Sequence, residues 1–260
     1  MKRLYALSPA KLNIGLHVLG RWPEGYHIIE TLLVPYPALY DDIEIKLLPG
    51  LNRLELRLTG IEIPPSEENY LQTSYRLLRE GLGTSLPALE VRLHKRIPVS
   101  AGLGGGSSNS GVFLRLMRDI LDPPPSWETL HKIAAEIGSD VPFFLYERPM
   151  LARGTGTELV PYDFSLDAFE VFMATPPFPC STKHIYRGLR PSHWSRVSIE
   201  PIIATGPATW REKLHNDLEQ VSFQVYPQLL IVKKSFYEFG AIYASMNGSG
   251  SSVYGLFPKR

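Results

Sequence analysis

The sequence contains only one cysteine, Cys180, among its 260 residues. A single cysteine cannot form an internal disulfide, and no CxxC or HExxH spacing is present, so neither a disulfide scaffold nor a common zinc site is expected. This cysteine content fits a reducing compartment best. Runs of eighteen or more apolar residues are also missing, so the sequence predicts no transmembrane helix.

The sequence has no excess of charge of one sign either. It carries 27 lysines and arginines against 26 aspartates and glutamates, without a long run of either. This balance disfavours nucleic acid or a membrane surface as the main partner, so any phosphate binding should be local. The basic start MKRLYALSPAKLNIG is followed by too short an apolar stretch for a signal peptide. We therefore expect a cytoplasmic globular protein with no nucleic-acid or membrane partner.

Short alternating patterns predict strands in the first sixty residues. From residue 10 to residue 18, apolar residues alternate with polar or small ones, which is typical of a half-buried strand. Lys11 and Asn13 are two residues apart and share one face of it. GRWPEGYH indicates a turn, and IIETLLVPY a second strand beside the first. The following patterns predict strands at 43–47 and 54–58 and a helix at 66–81.

The stretch KRIPVSAGLGGGSSNSG, residues 95–111, follows an alternating strand at 89–93 and precedes apolar residues at helical spacing. Its centre, residues 98–108, is called the glycine loop below, and it joins a strand to a helix. A helix N-terminus exposes unpaired N–H groups and a partial positive charge, and glycines let that backbone approach an anion. We interpret the loop as a phosphate cradle, with a flexible linker or a helix cap as the alternative.

Two common phosphate-binding patterns do not fit the glycine loop. The Walker pattern needs a lysine after its last glycine, and none is present. The dinucleotide pattern Gly-x-Gly-x-x-Gly fails because Ser107 occupies the last position. Neither a P-loop nor a Rossmann loop is therefore expected.

The composition changes beyond about residue 150, where proline, glycine and serine separate short apolar runs. We place a domain boundary near Arg153, which gives domains at 1–153 and 154–260. Before this boundary, DPPPSWETL predicts a chain break followed by a helix with Ser126 as its N-cap.

Five motifs follow one another along the chain: SPAKLNIGLHVLGRWPEGYH, the glycine loop, GSDVPFFL, HNDLE and MNGSGSSVYGLF. In this order they resemble the motifs of the GHMP small-molecule kinases, a family that includes galactokinase, homoserine kinase and mevalonate kinase. The glycine loop matches that family's P-x-x-x-G-L-G-[GS]-[GS]-S-[SA]. PAKLN with GxxxxGYH resembles the branch that phosphorylates a cytidyl diphosphate sugar alcohol in non-mevalonate isoprenoid biosynthesis. The resemblance spans nearly the whole chain.

The resemblance implies an α+β class and the two-lobed GHMP kinase fold. The N-terminal lobe would be like domain 2 of ribosomal protein S5 and the C-terminal lobe ferredoxin-like, with nucleotide and acceptor meeting between them. Asp140 is implied as the base that accepts the hydroxyl proton, with Lys11 beside it. An adjacent ammonium can offset the charge that develops on a transferred phosphate. The alternative is an ordinary Lys–Asp salt bridge.

For the phosphate donor, the resemblance implies ATP, with Mg²⁺ arriving bound to the nucleotide and no dedicated metal site in the protein. Asn69 and Lys95 are implied as contacts on the adenine side, although Lys95 could equally be the solvated end of a strand. The residues implied around the triphosphate are Pro98, Val99, Ser100, Ala101, Gly102, Leu103, Gly104, Gly105, Gly106, Ser107 and Ser108.

For the acceptor, the resemblance implies that Tyr26, His27 and Tyr186 clamp a cytosine and that Thr182 contacts the substrate. Asn13 would share the pocket of Lys11. Aromatic faces stack on bases, and imidazole can bind a base's polar edge. The alternative is that both tyrosines only pack against the protein. The expected partner is thus a small molecule, and the expected assembly is a monomer or a weak homodimer.

The chain ends at Arg260, shortly after GSGSSVYGLF. Members of the family usually continue through another helix and strand, so a trimmed C-terminal lobe is expected. Two rival functions stay open: a kinase for another small alcohol, such as mevalonate or homoserine, and a catalytically inactive nucleotide-binding protein.

Overall fold

A computed structural model describes residues 3–63 and 69–259 of the chain. The first residues of the predicted helix at 66–81 lie outside the described residues. The chain forms two compact units, and each unit is assembled from separate stretches of sequence. The first unit contains the residues up to Lys11, Pro35–Val99 and Gly104–Glu147; the second contains Leu12–Val34, Ser100–Leu103 and the residues from Arg148 onward.

Strands and helices are both present in quantity, which confirms the predicted α+β class. The strands in the described residues are β1 (Arg3–Arg21), β2 (His27–Leu51), β3 (Leu54–Gly60), β4 (Pro87–Lys95), β5 (Met150–Gly154), β6 (Glu158–Pro161), β7 (Phe169–Ala174), β8 (Tyr243–Met246) and β9 (Val253–Pro258). The α-helices there are α1 (Tyr70–Leu82), α2 (Gly105–Ile120), α3 (Trp127–Ile137), α4 (Thr182–Gly188), α5 (Glu200–Ile203), α6 (Trp210–Lys213), α7 (Glu219–Val225) and α8 (Pro227–Glu238). No helix in the described part of the chain combines the length and hydropathy needed to cross a membrane.

In the first unit, β4 lies between β2 and β3. It runs antiparallel to β2, with Ile43 opposite Leu93, and parallel to β3, with Leu56 opposite Val91. Helices α1, α2 and α3 contribute buried apolar side chains to a core shared with these strands. Each such side chain stabilises the fold by about 1.5–3 kcal/mol when it is fully buried. The completely buried members of this core include Leu71, Leu78, Val91, Phe113, Met117 and Leu130.

The helices of the first unit begin and end where the sequence supplies caps. Asn69 caps α1 by accepting a hydrogen bond from Leu71 N at 2.9 Å, and Gly83 ends the helix with φ 60°. Ser126 Oγ accepts from Thr129 N at 3.1 Å and starts α3. The predicted N-cap Ser126 is therefore confirmed, because its hydroxyl satisfies one of the N–H groups that a helix start leaves unpaired.

In the second unit, the N-terminal half of β2 pairs antiparallel with β5, with Thr31 opposite Ala152, and β6 pairs with β5. A further sheet in the described residues has the strand order β7-β9-β8 and is antiparallel throughout. Helices α7 and α8 add to a core that includes Leu218 and Val253. The fully buried Trp210 ring packs perpendicular to Tyr243, with centroids 5.5 Å apart.

The predicted half-buried strand at 10–18 is wrong in one respect. Every residue in this part of β1 is buried, including the polar ones. Asn13 Nδ2 donates to Thr31 Oγ1 at 3.1 Å, and His17 Nδ1 lies 2.9 Å from the Val197 carbonyl. A strand with alternating polarity can be buried on both faces when its polar side chains find partners, which the sequence alone does not reveal.

The two strands predicted at IIETLLVPY and 43–47 form one continuous strand, β2. Pro35 and Pro37 lie within it, although proline cannot donate to a sheet. In β2 the two prolines lie between the residues that pair with β5, 29–33, and those that pair with β4, 42–51, so neither ladder needs their missing N–H groups.

The two compact units are interleaved along the chain, whereas the division into 1–153 and 154–260 stays a prediction.

The single cysteine offers a check on the core of the second unit. Cys180 is buried, and burial raises the pKa of its thiol to about 11. At pH 8 only about one thiol in a thousand would be ionised, against roughly a quarter in an unfolded chain. We expect iodoacetamide to label the native protein about a hundredfold more slowly than the same protein in guanidinium. Equal rates would contradict the buried position of Cys180.

Candidate active site

The glycine loop leads directly into a helix whose first turn is open. β4 ends at Lys95 and α2 begins at Gly105, so the predicted junction of strand, loop and helix is confirmed, but the helix begins within the glycine loop and not after it. The N-cap residue, Gly104, has φ 71° and ψ 20°, supplies no side-chain cap, and no acidic residue follows in the first turn. The N–H groups there and the positive end of the helix dipole can therefore serve an anion. This geometry favours the phosphate cradle over a linker.

Three successive glycines let the start of α2 lie close to its neighbours. A Cβ on Gly104 would be 3.1 Å from Lys11 Cγ and 3.2 Å from Phe144 Cζ. A Cβ on Gly105 would be 2.9 Å from a methyl carbon of Ile97. A side chain at Gly105 would therefore clash with Ile97, and one at Gly104 would crowd Lys11 and Phe144. The glycines therefore set the distance between the helix start and the Lys11 side chain.

The structure brings the predicted catalytic pair together in the first unit. Lys11, on β1, is 3% exposed, and its Nζ lies 3.5 Å from Oδ2 of Asp140, whose side chain is 37% exposed. Asp140 directly precedes the buried segment formed by Val141 and the 3-10 helix Pro142–Leu145, which fixes its backbone. The 3.5 Å separation is longer than a charge-assisted hydrogen bond of about 2.7–2.9 Å. Asp140 is therefore both paired and accessible.

Several side chains predicted to contact the nucleotide already have protein partners. Asn69 Oδ1 caps α1, and Ser108 is fully buried with its hydroxyl 2.7 Å from Ser8 Oγ. Lys95 is buried and bonds to Asp41 and Asn109, so the solvated strand end considered for it is wrong. Burial lowers the pKa of the Lys95 ammonium, although Asp41 acts in the opposite direction.

Another exposed side chain lies next to the glycine loop. Tyr70 was not predicted as a site residue, yet its ring lies 3.4 Å from where a Cβ of Gly106 would be, and it is 41% exposed. The only sequence signal for it is its place beside the N-cap of α1.

The residues of the glycine loop differ in exposure. The exposed or partly exposed members are Pro98, Val99, Ser100, Gly102, Gly104, Gly105, Gly106 and Ser107, and the buried ones are Ala101, Leu103 and Ser108.

The middle of the glycine loop belongs to the second unit and is held there by the third glycine motif. Ser252 N donates to the Ala101 carbonyl at 3.1 Å, and Asn247 Nδ2 donates to the Gly102 carbonyl at 3.1 Å. Asn247 Oδ1 also accepts from Asn13 N at 2.7 Å. Sequence reasoning missed Asn247, although it opens the NGSGS stretch. Its position shows that this motif shapes the loop.

The predicted acceptor residues cluster partly in the second unit. The rings of His27 and Tyr186 are tilted, with centroids 5.2 Å apart, and Trp194 stands edge-on to His27 at 6.3 Å. Burial, followed by the charge of Arg21, lowers the pKa of His27, which favours a neutral imidazole near pH 7. Tyr26 is 68% exposed.

Thr182 and Asn13 complete the predicted acceptor residues. Thr182 begins α4, and its hydroxyl lies 2.7 Å from Ser249 Oγ. Asn13 is buried and uses its amide group on Thr31. Both residues therefore already have polar protein partners in the second unit.

Comparison with known proteins identifies the family. The family model described as "GHMP kinases N terminal domain" matches residues 69–148, and "GHMP kinases C terminal" matches 199–260. A protein of Azobacteroides pseudotrichonymphae genomovar. CFP2, named 4-diphosphocytidyl-2-C-methyl-D-erythritol kinase, is 38% identical over 257 residues, which are 98% of this chain and 94% of the relative. The chain belongs to the GHMP kinases.

Solved structures agree with this GHMP kinase assignment. A crystal structure of 4-(cytidine 5'-diphospho)-2C-methyl-D-erythritol kinase has a TM-score of 0.78 and 31% identity, and the match covers 97% of this chain and 90% of that one. A mevalonate kinase structure has a TM-score of 0.71 at 13% identity, covering 98% of this chain and 91% of its own, which supports the fold alone. The predicted GHMP kinase fold is confirmed.

The close contact at Gly104 can be tested with a matched pair of variants. Gly104 and Gly83 have nearly the same left-handed backbone, but a Cβ on Gly83 would have open space around it. Both Gly→Ala changes should lower the free energy of unfolding by about 1–2 kcal/mol through backbone strain. Gly104→Ala should cost somewhat more, because its Cβ would crowd Lys11 and Phe144. We expect only Gly104→Ala to lower ATP affinity, by about tenfold or more, in titration calorimetry. An equal loss in both variants would contradict a specific role for Gly104.

Proposed function

We propose that this GHMP kinase transfers the terminal phosphoryl group of ATP to the 2-hydroxyl of 4-diphosphocytidyl-2-C-methyl-D-erythritol in isoprenoid precursor biosynthesis. Relatives of that name align over nearly the whole chain. The observation that carries the proposal is the Lys11–Asp140 pair, which lies beside the uncapped start of α2. A carboxylate, an ammonium group and an uncapped helix start in one compact unit support this assignment.

The backbone at the start of α2 would hold the triphosphate. Phosphoryl transfer needs mainly positioning and charge neutralisation, because the chemistry is intrinsic to the phosphate. The N–H groups of Gly105, Gly106 and Ser107 lie in the first turn of α2, where N–H groups have no carbonyl partner within the helix. They can therefore donate to phosphate oxygens. The Lys11 side chain contacts Gly104, so its ammonium can neutralise negative charge that moves onto the transferred group.

Asp140 would accept the proton of the attacking hydroxyl. A general base must reach the proton that it removes, and the partly exposed carboxylate of Asp140 can do so while Lys11 keeps it oriented. Asp140 would also position the substrate. A hydroxyl that bonds to its carboxylate would lie next to the Lys11 ammonium, which would also face the phosphate. Donor and acceptor would thereby be aligned before transfer.

Mg²⁺ would bind together with ATP. In the described residues no group of three or more His, Cys, Asp or Glu side chains is arranged to hold a metal ion. The partly exposed hydroxyl of Ser107 is an oxygen donor in the first turn of α2. We expect the ion to be held mainly by phosphate oxygens and water. When bound, Mg²⁺ offsets the charge of the phosphate oxygens.

The aromatic residues of the second unit would bind the cytosine of the acceptor. The rings of His27 and Tyr186 lie next to each other, and the exposed Tyr26 directly precedes His27 in sequence. A neutral imidazole can both donate to and accept from the polar edge of a base. The partner is thus a small molecule, and a cytoplasmic location and a monomer or weak homodimer remain proposals from the sequence.

The central experiment is an ADP-release assay with the cytidyl alcohol as acceptor. We expect Asp140→Asn to lower kcat by about 100-fold or more, because the general base is lost, while the Kd for ATP changes by less than about threefold. Turnover of mevalonate or homoserine but not of the cytidyl alcohol would favour the first rival function. ATP binding without turnover of any acceptor would favour the inactive nucleotide-binding protein.

The cytosine site has its own test. Tyr26→Ala should raise the KM for the cytidyl alcohol by about tenfold with little change in the KM for ATP, because stacking on a base is worth about 1–3 kcal/mol. Tyr26 is highly exposed, so stability should hardly change. Phe239→Ala is the control, since Phe239 is a 79% exposed aromatic residue of the same unit. A similar KM change in both variants would contradict the role of Tyr26.

A further inference from the structure

Asp41 is a carboxylate inside the first unit that has no direct part in the proposed phosphoryl transfer. It lies on β2 and is completely buried. A buried carboxylate is costly unless charge and hydrogen bonds compensate for its lost hydration. Asp41 has both kinds of compensation, and they come from residues that flank the glycine loop.

One oxygen of Asp41 holds the chain where it enters the glycine loop. Oδ1 accepts from Arg96 N at 2.7 Å and from Ile97 N at 2.9 Å. These two residues follow the last residue of β4 and precede Pro98. Two hydrogen bonds to successive amides fix both the position and the direction of the backbone at this point.

The other oxygen of Asp41 holds the helix that leaves the loop. Oδ2 accepts from Asn109 Nδ2 at 2.9 Å and also bonds to Lys95 Nζ. Asn109 lies in the second turn of α2, and its amide contacts Ser8 Oγ at 3.0 Å as well. Lys95 Nζ bonds in turn to Asn109 Oδ1 at 3.1 Å. A single carboxylate therefore joins the strand before the loop to the helix after it.

Stability alone is a weak reason for such an arrangement. Replacing a buried ion pair by apolar side chains of similar size is often neutral or stabilising. What apolar residues cannot replace is the directional bonding to Arg96 N, Ile97 N and Asn109. The position of the loop ends is thus the property that depends on Asp41.

We propose that Asp41 is a positioning residue for the nucleotide, because it ties the two ends of the glycine loop and so fixes the first turn of α2 where the phosphates bind. This inference rests on the proposed function. Asp41 itself does not touch the substrate. Its loss should weaken ATP binding and leave the binding of the acceptor alcohol nearly unchanged.

The test compares two double variants that both lack the buried charges. Asp41→Asn with Lys95→Met keeps a side-chain oxygen that can accept from the two backbone amides. Asp41→Leu with Lys95→Met removes that acceptor at similar volume. We expect the Leu variant to bind Mg-ATP about tenfold or more weakly than the Asn variant in titration calorimetry, with the acceptor KM within about threefold in both.

Asp42→Asn serves as the matched control. Asp42 is adjacent, but its carboxylate bonds to the side chains of Tyr5 and Arg96 and not to the loop backbone. Its Kd for Mg-ATP should stay within about twofold of wild type. Thermal unfolding of each variant shows whether it is folded. If the Leu variant does not fold, Asn109→Ala decides, because it removes the tie to α2, together with the bonds of Asn109 to Ser8 and Lys95, but leaves both backbone amide bonds of Asp41 in place. It should still weaken Mg-ATP binding several-fold.

The outcomes separate this inference from the proposed function. Equal Mg-ATP affinities in the two folded double variants, or an unchanged affinity in Asn109→Ala when the Leu variant is unfolded, would overturn the role of Asp41 while the kinase function stands. That role would also be overturned if the Leu variant lost apparent kcat only in proportion to a smaller folded fraction, with its Kd for Mg-ATP unchanged. Failure of the wild-type protein to bind Mg-ATP would overturn the proposed function and this inference together.

Discussion

The site depends on backbone that approaches its neighbours more closely than a side chain would allow. At Gly105 a Cβ would clash with Ile97, and at Gly104 it would crowd Lys11 and Phe144 in a left-handed backbone that favours glycine. An anion-binding helix start is useful only if its N–H groups are uncovered and a cation lies near them. The absence of side chains satisfies both conditions at once, and it explains why glycines are concentrated where β4 gives way to α2.

Buried polar side chains form the second layer of this arrangement. Asp41, Asn109 and Ser8 occupy the interior next to the helix start, and Asn247 acts in the second unit on the middle of the loop. Each has hydrogen-bond partners, which is the condition under which polar groups are tolerated in a protein core. Such networks are directional, so they fix backbone positions more sharply than apolar packing of equal area does. The loop geometry thus comes from side chains that never face the solvent.

Local signals in the sequence predicted most of the elements around the site. Ser126 as a helix cap and the junction of strand, glycine loop and helix follow from short-range rules of capping and periodicity. The pairing of Lys11 with Asp140 depended on the family resemblance, since 129 positions separate them and no local rule connects them. The roles of Asp41 and Asn247 are equally long-range. A buried aspartate looks no different from a surface one in a single sequence.

The two errors about strands have the same origin. The alternation in β1 indicated a solvent face, but partners from distant segments cover it, and the two strands predicted at IIETLLVPY and 43–47 are one strand that pairs with β5 at one end and β4 at the other. Both depend on what lies opposite a strand.

The interleaving of the units has a further consequence during synthesis on the ribosome. Residues 12–34 emerge early, yet their unit is complete only when β8 and β9 have been translated, more than two hundred residues later. β1 and β2 can pair early, but Leu16 and Val18 pack against residues as late as Met246 and Val253. These apolar side chains must therefore stay partly uncovered for most of translation, a stage at which holding by chaperones would be of direct use.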